Sequence, residues 1–219
     1  MGKYQSYKPS GIEWIGEIPE HWEITKFKYE SIKNVQYGLN MNSENYIDNG
    51  VRFLRTTDID DFGKITDVGV YIFGENIPKG YLLEEFDFLI SRSGTLGRTY
   101  LHLSDIDITY GGYLVRFNFG SLVKSKFIFH FTKSKNFFDW ISLNTIQSTI
   151  GNVNGEKYSN LVFVLPPLHE QEQIVEYLDK HTKEIDDLVG LEQRKIELLK
   201  EYRQSLISEV ITGKIKVVE

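Results

Sequence analysis

The sequence predicts a mixed α/β fold: a globular domain over residues 1–167 with a twisted mixed sheet and short helices, then a long coiled-coil-type helix over 168–219. Three observations predict it. Residues 1–167 hold 28 of the 30 aromatic side chains. The same segment carries short apolar runs of period two bounded by Gly, Asp and Ser, as strands do. Beyond Pro166-Pro167 the texture changes to Glu, Lys, Leu and Ile with a seven-residue apolar repeat.

In the first segment, VRFLRTTDI (51–59), FDFLISRSG (86–94) and GGYLVRFNF (111–119) read as strands closed by turns. KSKFIFHFTKSKNFFDWISL (124–143) is open. Phe127, Phe129 and Phe131 alternate like a strand, while Ser134 suits the cap of a helix carrying Phe137, Phe138 and Ile141. In the second segment the a positions fall on Val175, Thr182, Val189, Ile196, Arg203 and Val210, and the d positions on Leu178, Ile185, Glu192, Leu199 and Leu206. Most of this seam is apolar but narrow, which calls for a partner helix rather than a core. Val175, Leu178, Ile185, Val189, Ile196, Leu199, Leu206 and Val210 are therefore the expected dimerisation residues. Gly190 is a possible kink, and Thr212-Gly213 a stop.

Composition narrows the function classes. A chain of 219 residues, 41% hydrophobic and 26% charged, has enough apolar material for a core. With no cysteine there is no disulfide framework and no thiolate ligand or nucleophile. No run approaches the ~18 apolar residues of a membrane span, and Met1 to Ser10 lack the apolar stretch of a signal peptide. The expected location is cytoplasmic. The net charge of −6 hides a basic middle: residues 88–160 carry 8 Lys and Arg against 4 Asp and Glu, between acidic flanks. Such a segment can focus a local positive field toward nucleic acid.

His169-Glu170-Gln171-Glu172-Gln173 stands one residue from the helical zinc signature H-E-x-x-H. Zinc needs a second imidazole one turn on, and position 173 is glutamine, so no metal site is expected. Pro166-Pro167 ends a strand or loop instead, and Glu170 and Glu172 fall in the first turns of the helix, where its dipole favours carboxylates. Ser91-Arg92-Ser93-Gly94-Thr95-Leu96-Gly97-Arg98 resembles an anion-cradling loop but matches no nucleotide-binding fingerprint. It reads either as a tight turn with Gly94 or Gly97 at positive φ, or as a phosphate or base contact through Arg92 and Arg98, helped by Ser93 and Thr95. Asp58-Ile59-Asp60-Asp61 lacks the spacing of a calcium loop. No catalytic constellation is legible, and the chain is expected to be no enzyme.

Five stretches together resemble the DNA-specificity (S) subunits of type I restriction–modification systems. They are YKPSGIEWIGEIPEHWEI (7–24) with Trp14, Pro19 and Trp22, FLISRSGTLGRTYL (88–101), GGYLVRF (111–117), LPPLHEQEQIVEYLD (165–179) and LLKEYRQSLISEVITGKIKV (198–217). The resemblance implies a target-recognition domain that reads half of a split site in double-stranded DNA, followed by a conserved spacer helix. It implies adenine methyltransferase (M) and restriction (R) subunits as partners. No cofactor is expected on this chain; S-adenosylmethionine and ATP with magnesium belong to those partners. Family members usually carry two recognition domains and two helices, so this sequence corresponds to half a subunit or to part of a longer one. A homodimer through the helix is the expected assembly. A dimeric DNA-binding scaffold or regulator without a methyltransferase partner stays as the alternative.

Base and backbone readout calls for polar side chains on loops. The expected DNA contacts are Arg92, Ser93, Thr95 and Arg98 in the glycine turn; Gln36, Tyr37 and Asn40; Arg55, Thr56 and Thr57; and Gln147, Asn152, Asn154 and Lys157 before the junction. Lys124, Lys126, Lys133 and Lys135 are read as phosphate contacts or as a solvated helix face.

Overall fold

A computed structural model describes residues 3–145 and 151–217. The strands are β1 (Tyr7–Pro9), β2 (Glu17–Pro19), β3 (Glu23–Lys26), β4 (Gln36–Tyr37), β5 (Val51–Leu54), β6 (Val70–Ile72), β7 (Asp87–Ser91), β8 (Thr99–Leu101), β9 (Ile108–Tyr110), β10 (Leu114–Asn118) and β11 (Val162–Leu165). The helices are α1 (Phe27–Glu30), α2 (Leu122–Phe131), α3 (Lys135–Thr145), α4 (Gly155–Ser159) and α5 (Leu168–Ile211). Where one mixed sheet was expected, the strands form four small sheets: β1-β2, β4-β10-β7-β8, β11-β3 and β6-β5-β9. The last of these is mixed, with β5 antiparallel to β6 and parallel to β9.

The four-stranded sheet organises the first unit because both its faces are buried. Its two central strands pair antiparallel, Leu114 opposite Ser91 through Asn118 opposite Asp87. Alternation sends Phe88, Ile90, Val115 and Phe117 to one side. There they join an aromatic cluster with Phe27, Phe127, Phe137, Tyr158 and Phe163, contributed by the helices and by β11. Phe27 sits edge-on to Phe117, Phe119 and Phe163 at centroid separations of 5.3–5.6 Å, the geometry that ring quadrupoles favour.

The opposite side takes Leu89 and Leu114, which pack with Leu54, Ile59, Leu83, Ile108 and Tyr110. It also takes a buried polar set. Asp87, fully buried, accepts from Arg116 Nη1 at 3.2 Å, Asn118 Nδ2 at 2.7 Å, Lys33 Nζ at 3.3 Å and the Glu84 N–H at 2.8 Å. These donors offset the cost of burying the carboxylate.

The ambiguous 124–143 stretch is helical. Ser121 caps α2 by accepting from the Lys124 N–H, and Ser134 Oγ accepts from the Phe137 N–H at the start of α3. The Ser91–Arg98 segment is the turn between β7 and β8, and both Gly94 (φ +76°) and Gly97 (φ +78°) lie in the left-handed region.

The chain divides into two compact units between Val175 and Glu176. Helix α5 begins inside the first unit: Val175 is 6% exposed and packs with the aromatic cluster. A side chain committed to that core is withdrawn from the seam expected to dimerise. The helix runs through Gly190 without a break and stops where foreseen, with Gly213 at φ +71° and the Lys214 N–H returning to the Glu209 carbonyl. In the second unit, Ile185, Val189, Ile196, Leu199 and Leu206 are 41–59% exposed. Among the described residues no helix is long and apolar enough to cross a membrane.

Candidate nucleic-acid interface

Three loops that the sequence separates meet at one cleft of about 800 Å³. The segment after β4 contributes Asn40, the segment after β5 contributes Arg55, Thr56 and Thr57, and the glycine turn contributes Ser93 and Thr95. All six belong to the expected contact set. The wall between them is Leu39, Met41, Asn42, Tyr46, Phe53 and Gly111-Gly112-Tyr113. Strand order explains the convergence: Leu39 bridges Gly111 beside β10, β5 pairs with β9, and the turn closes β7 on β8. Gly112 lies close against Asn40. A Cβ there would stand 2.4 Å from Asn40 Oδ1.

Arg55 is the arginine of this cleft, and its guanidinium is tied to a buried carboxylate. Asp58 Oδ2 accepts from the Arg55 backbone N–H at 2.9 Å and from Nε at 3.0 Å, while Oδ1 accepts from Nη2 at 2.7 Å. That pairing pushes the guanidinium pKa above its ordinary value. The guanidinium carbon also lies 5.9 Å from the Tyr46 ring centroid. Thr57 is exposed, whereas Thr56 is buried and its hydroxyl oxygen has no hydrogen-bond partner among the described residues.

A second group of expected residues gathers beside the glycine turn. Arg92 lies over the Tyr37 ring at 4.9 Å. The Tyr37 hydroxyl accepts from the Gly155 N–H at 2.8 Å. Ser93 bridges Asn152, and the Arg92 carbonyl accepts from the Val153 N–H. Several of these side chains already serve the fold. Asn154 caps α4 through the Lys157 N–H, and Lys157 Nζ donates to the Asn144 carbonyl at 2.8 Å. Gln36 accepts from Arg116 and Tyr110, and Arg98 pairs with Asp61 at 3.0 Å. Gln147 lies outside the described residues.

The lysines of 124–135 are also engaged. Lys124 pairs with Glu30 at 2.8 Å and Lys135 with Asp139. Lys133 donates to the Asp61 carbonyl, and burial pushes its pKa down to about 8.

His169 is exposed, but Glu170 is not a ligand in waiting. Its Oε2 accepts from Tyr4 Oη and Trp22 Nε1, each at 2.9 Å, and Oε1 pairs with His21 at 2.5 Å. Burial alone would raise the carboxyl pKa; the hydrogen bonds from Trp22, His21 and Tyr4 outweigh it and hold the pKa below the ordinary value. Gln171 is buried and donates to the Pro166 carbonyl at 2.8 Å. The H-E-Q-E-Q run therefore joins the N-terminal segment to the first turn of α5.

The profile of the type I restriction modification DNA specificity domain matches residues 19–200. The chain belongs to this family. Among curated specificity-domain relatives it is 29% identical to the MjaVIII specificity subunit of Methanocaldococcus jannaschii, over 98% of this chain and 50% of that protein. It is 24% identical to the EcoKI specificity subunit of Escherichia coli K12, over 91% of this chain and 44% of that protein. The chain thus spans about half the length of the curated relatives it matches. The fold is that of the HsdS subunit of Thermoanaerobacter tengcongensis, with a TM-score of 0.62 at 18% identity over 95% of this chain and 48% of that one. A chain from a type I R-M assembly aligns at a TM-score of 0.69 and 19% identity, over 93% of this chain and 48% of its own length.

Within this specificity domain, sequence reasoning missed Met41, Asn42, Tyr46 and Tyr113 of the cleft. Tyr113 had a signal, since an aromatic directly after two glycines tends to sit at a turn; here it is 67% exposed. Tyr46 had none: its place depends on Phe53, whose ring is 5.9 Å away, and on Arg55.

Proposed function

We infer that this chain is the DNA-reading part of a type I restriction–modification complex, and that its first unit reads one half of a bipartite site in double-stranded DNA. The observation that carries the reading is the cleft. Asn40, Arg55, Thr57, Ser93 and Thr95 bring amide, guanidinium and hydroxyl groups from three loops to one place, and these are the groups that read base edges and phosphates. The chain does no chemistry itself in this reading. Adenine methyltransferase subunits dock on it and bring S-adenosylmethionine, and restriction subunits bring ATP hydrolysis with magnesium. Helix α5 sets the spacing between two reading units by pairing antiparallel with a second copy of itself through Ile185, Val189, Ile196, Leu199 and Leu206. Their exposure supports this, and a two-fold axis makes such a surface self-complementary.

Methylation mapping of the host genome with and without the gene tests the reading. Loss of one bipartite adenine motif is the expected result, and a palindromic motif goes with the homodimer. An unchanged methylome, or failure to co-purify with a methyltransferase subunit, refutes it.

A further inference from the structure

The geometry points to Arg55, held by Asp58, as the group that reads a guanine in the DNA; this rests on the specificity-subunit reading above. A guanidinium has five N–H donors in a planar fork. Asp58 takes the one on Nε and one on Nη2. The two on Nη1 and the second on Nη2 have no protein partner among the described residues. That remaining edge has the spacing of guanine O6 and N7 in the major groove. Arg55 lines the cleft with 36% of its side chain exposed, and Asp58 is 3% exposed beneath it.

Charge decides between a base and a phosphate. The Asp58 carboxylate largely cancels the positive field of Arg55 while leaving its donors in place. A neutralised ion pair is a poor phosphate clamp, but a fixed fork of donors suits the uncharged edge of a base. Fixing the fork in advance also lowers the ordering cost on binding. The other two arginines near the turn are placed differently: Arg98 is paired with the exposed Asp61, and Arg92 lies on Tyr37. Asp58 is a positioning residue: it orients the Arg55 guanidinium and also holds the Arg55 backbone N–H.

The test uses the chain assembled with its methyltransferase partner and a duplex carrying the mapped target. Each guanine is replaced in turn by 7-deazaguanine, which lacks the N7 acceptor. At one position the wild-type complex should lose affinity by on the order of 5- to 150-fold. The loss should vanish in Arg55→Met, which keeps an unbranched side chain but no donor, and shrink in Asp58→Asn. A structural defect would not produce this base-specific coupling. A half-site without guanine, or a wild-type series in which no deazaguanine costs affinity, overturns the inference whether or not the variants fold. So does an equal loss in wild type and Arg55→Met at every guanine. A uniform drop across all duplexes in Arg55→Met, with the salt slope reduced by about one, makes Arg55 a phosphate contact and also overturns it. If the wild-type complex cannot tell its target from a scrambled duplex, the parent reading itself has failed.

Discussion

Glu170 shows how much a single side chain can organise when three donors converge on it. Tyr4, His21 and Trp22 arrive from the N-terminal segment, about 150 positions away in the chain. Sequence reasoning placed Glu170 in the first turns of a helix and assigned it to the helix dipole. Its long-range partners were not legible, because local pattern carries no information on which distant hydroxyl, imidazole or indole will arrive. Glu170→Gln keeps the shape but supplies a donor where only acceptors are wanted. It should cost about 1–3 kcal/mol of stability, read as a lowered thermal midpoint of the purified chain. The carboxyl pKa is held below its ordinary value in the fold. Its contribution is therefore complete above the unfolded value of about 4.3 and drains as pH falls through the lower folded value. Wild type should lose stability over this acid range more steeply than Glu170→Gln. Parallel profiles would mean that the hydrogen bonds do no more than offset the burial of the carboxylate.

Among elements, α2 and α5 show opposite degrees of legibility. The heptad pattern predicted α5 to within a residue at its C-terminal end, because an exposed helix obeys its own periodicity and a glycine stop. In α2 the alternation of Phe127, Phe129 and Phe131 suggested a strand. The helix is packed on more than one side: Phe127 and Ile128 enter the aromatic core, and Phe129 packs on its edge, close to Lys133 and Gly63. A helix used all round has no clean apolar stripe to detect. For α5, Ile196→Asp with Leu199→Asp places charge in the middle of the exposed seam. Light scattering at tens of micromolar should then show a monomer where the unmodified chain is a dimer, and the thermal unfolding of the first unit should not move. A monomeric wild type under the same conditions removes the proposed pairing.

At the scale of the molecule, stability rests on the doubly buried sheet. Phe27 is fully buried between that sheet and β11, with three edge-on ring contacts. Phe27→Ala should cost roughly 3–5 kcal/mol, measurable by urea denaturation; a cost below about 1 kcal/mol would place the centre of the core elsewhere. Alkaline pH attacks the same core through Tyr158. Its hydroxyl donates to the Ser91 carbonyl at 2.8 Å, and burial pushes its pKa far above the ordinary value. The unfolded chain ionises near pH 10 and the folded one does not, so this stabilisation is present below about pH 10 and is lost as pH rises beyond it. Unfolding by base should come later in Tyr158→Phe than loss of the hydrogen bond alone would suggest, as judged by circular dichroism from pH 9 to 12. The aromatic richness of residues 1–167 made such a core readable in advance. Its division into two faces of one sheet was not, since that depends on which strands become neighbours.

The walls of the cleft come from residues 39–46, 53–57, 93–95 and 111–113, each anchored to a different strand. If the cleft reads DNA as proposed, transplanting any one of these loops into a relative would carry a fragment of it and leave the others mismatched. Retargeting by exchange of short cassettes should therefore fail piecewise and succeed only when the whole first unit is moved as a block, with the junction at Pro166-Pro167 kept intact.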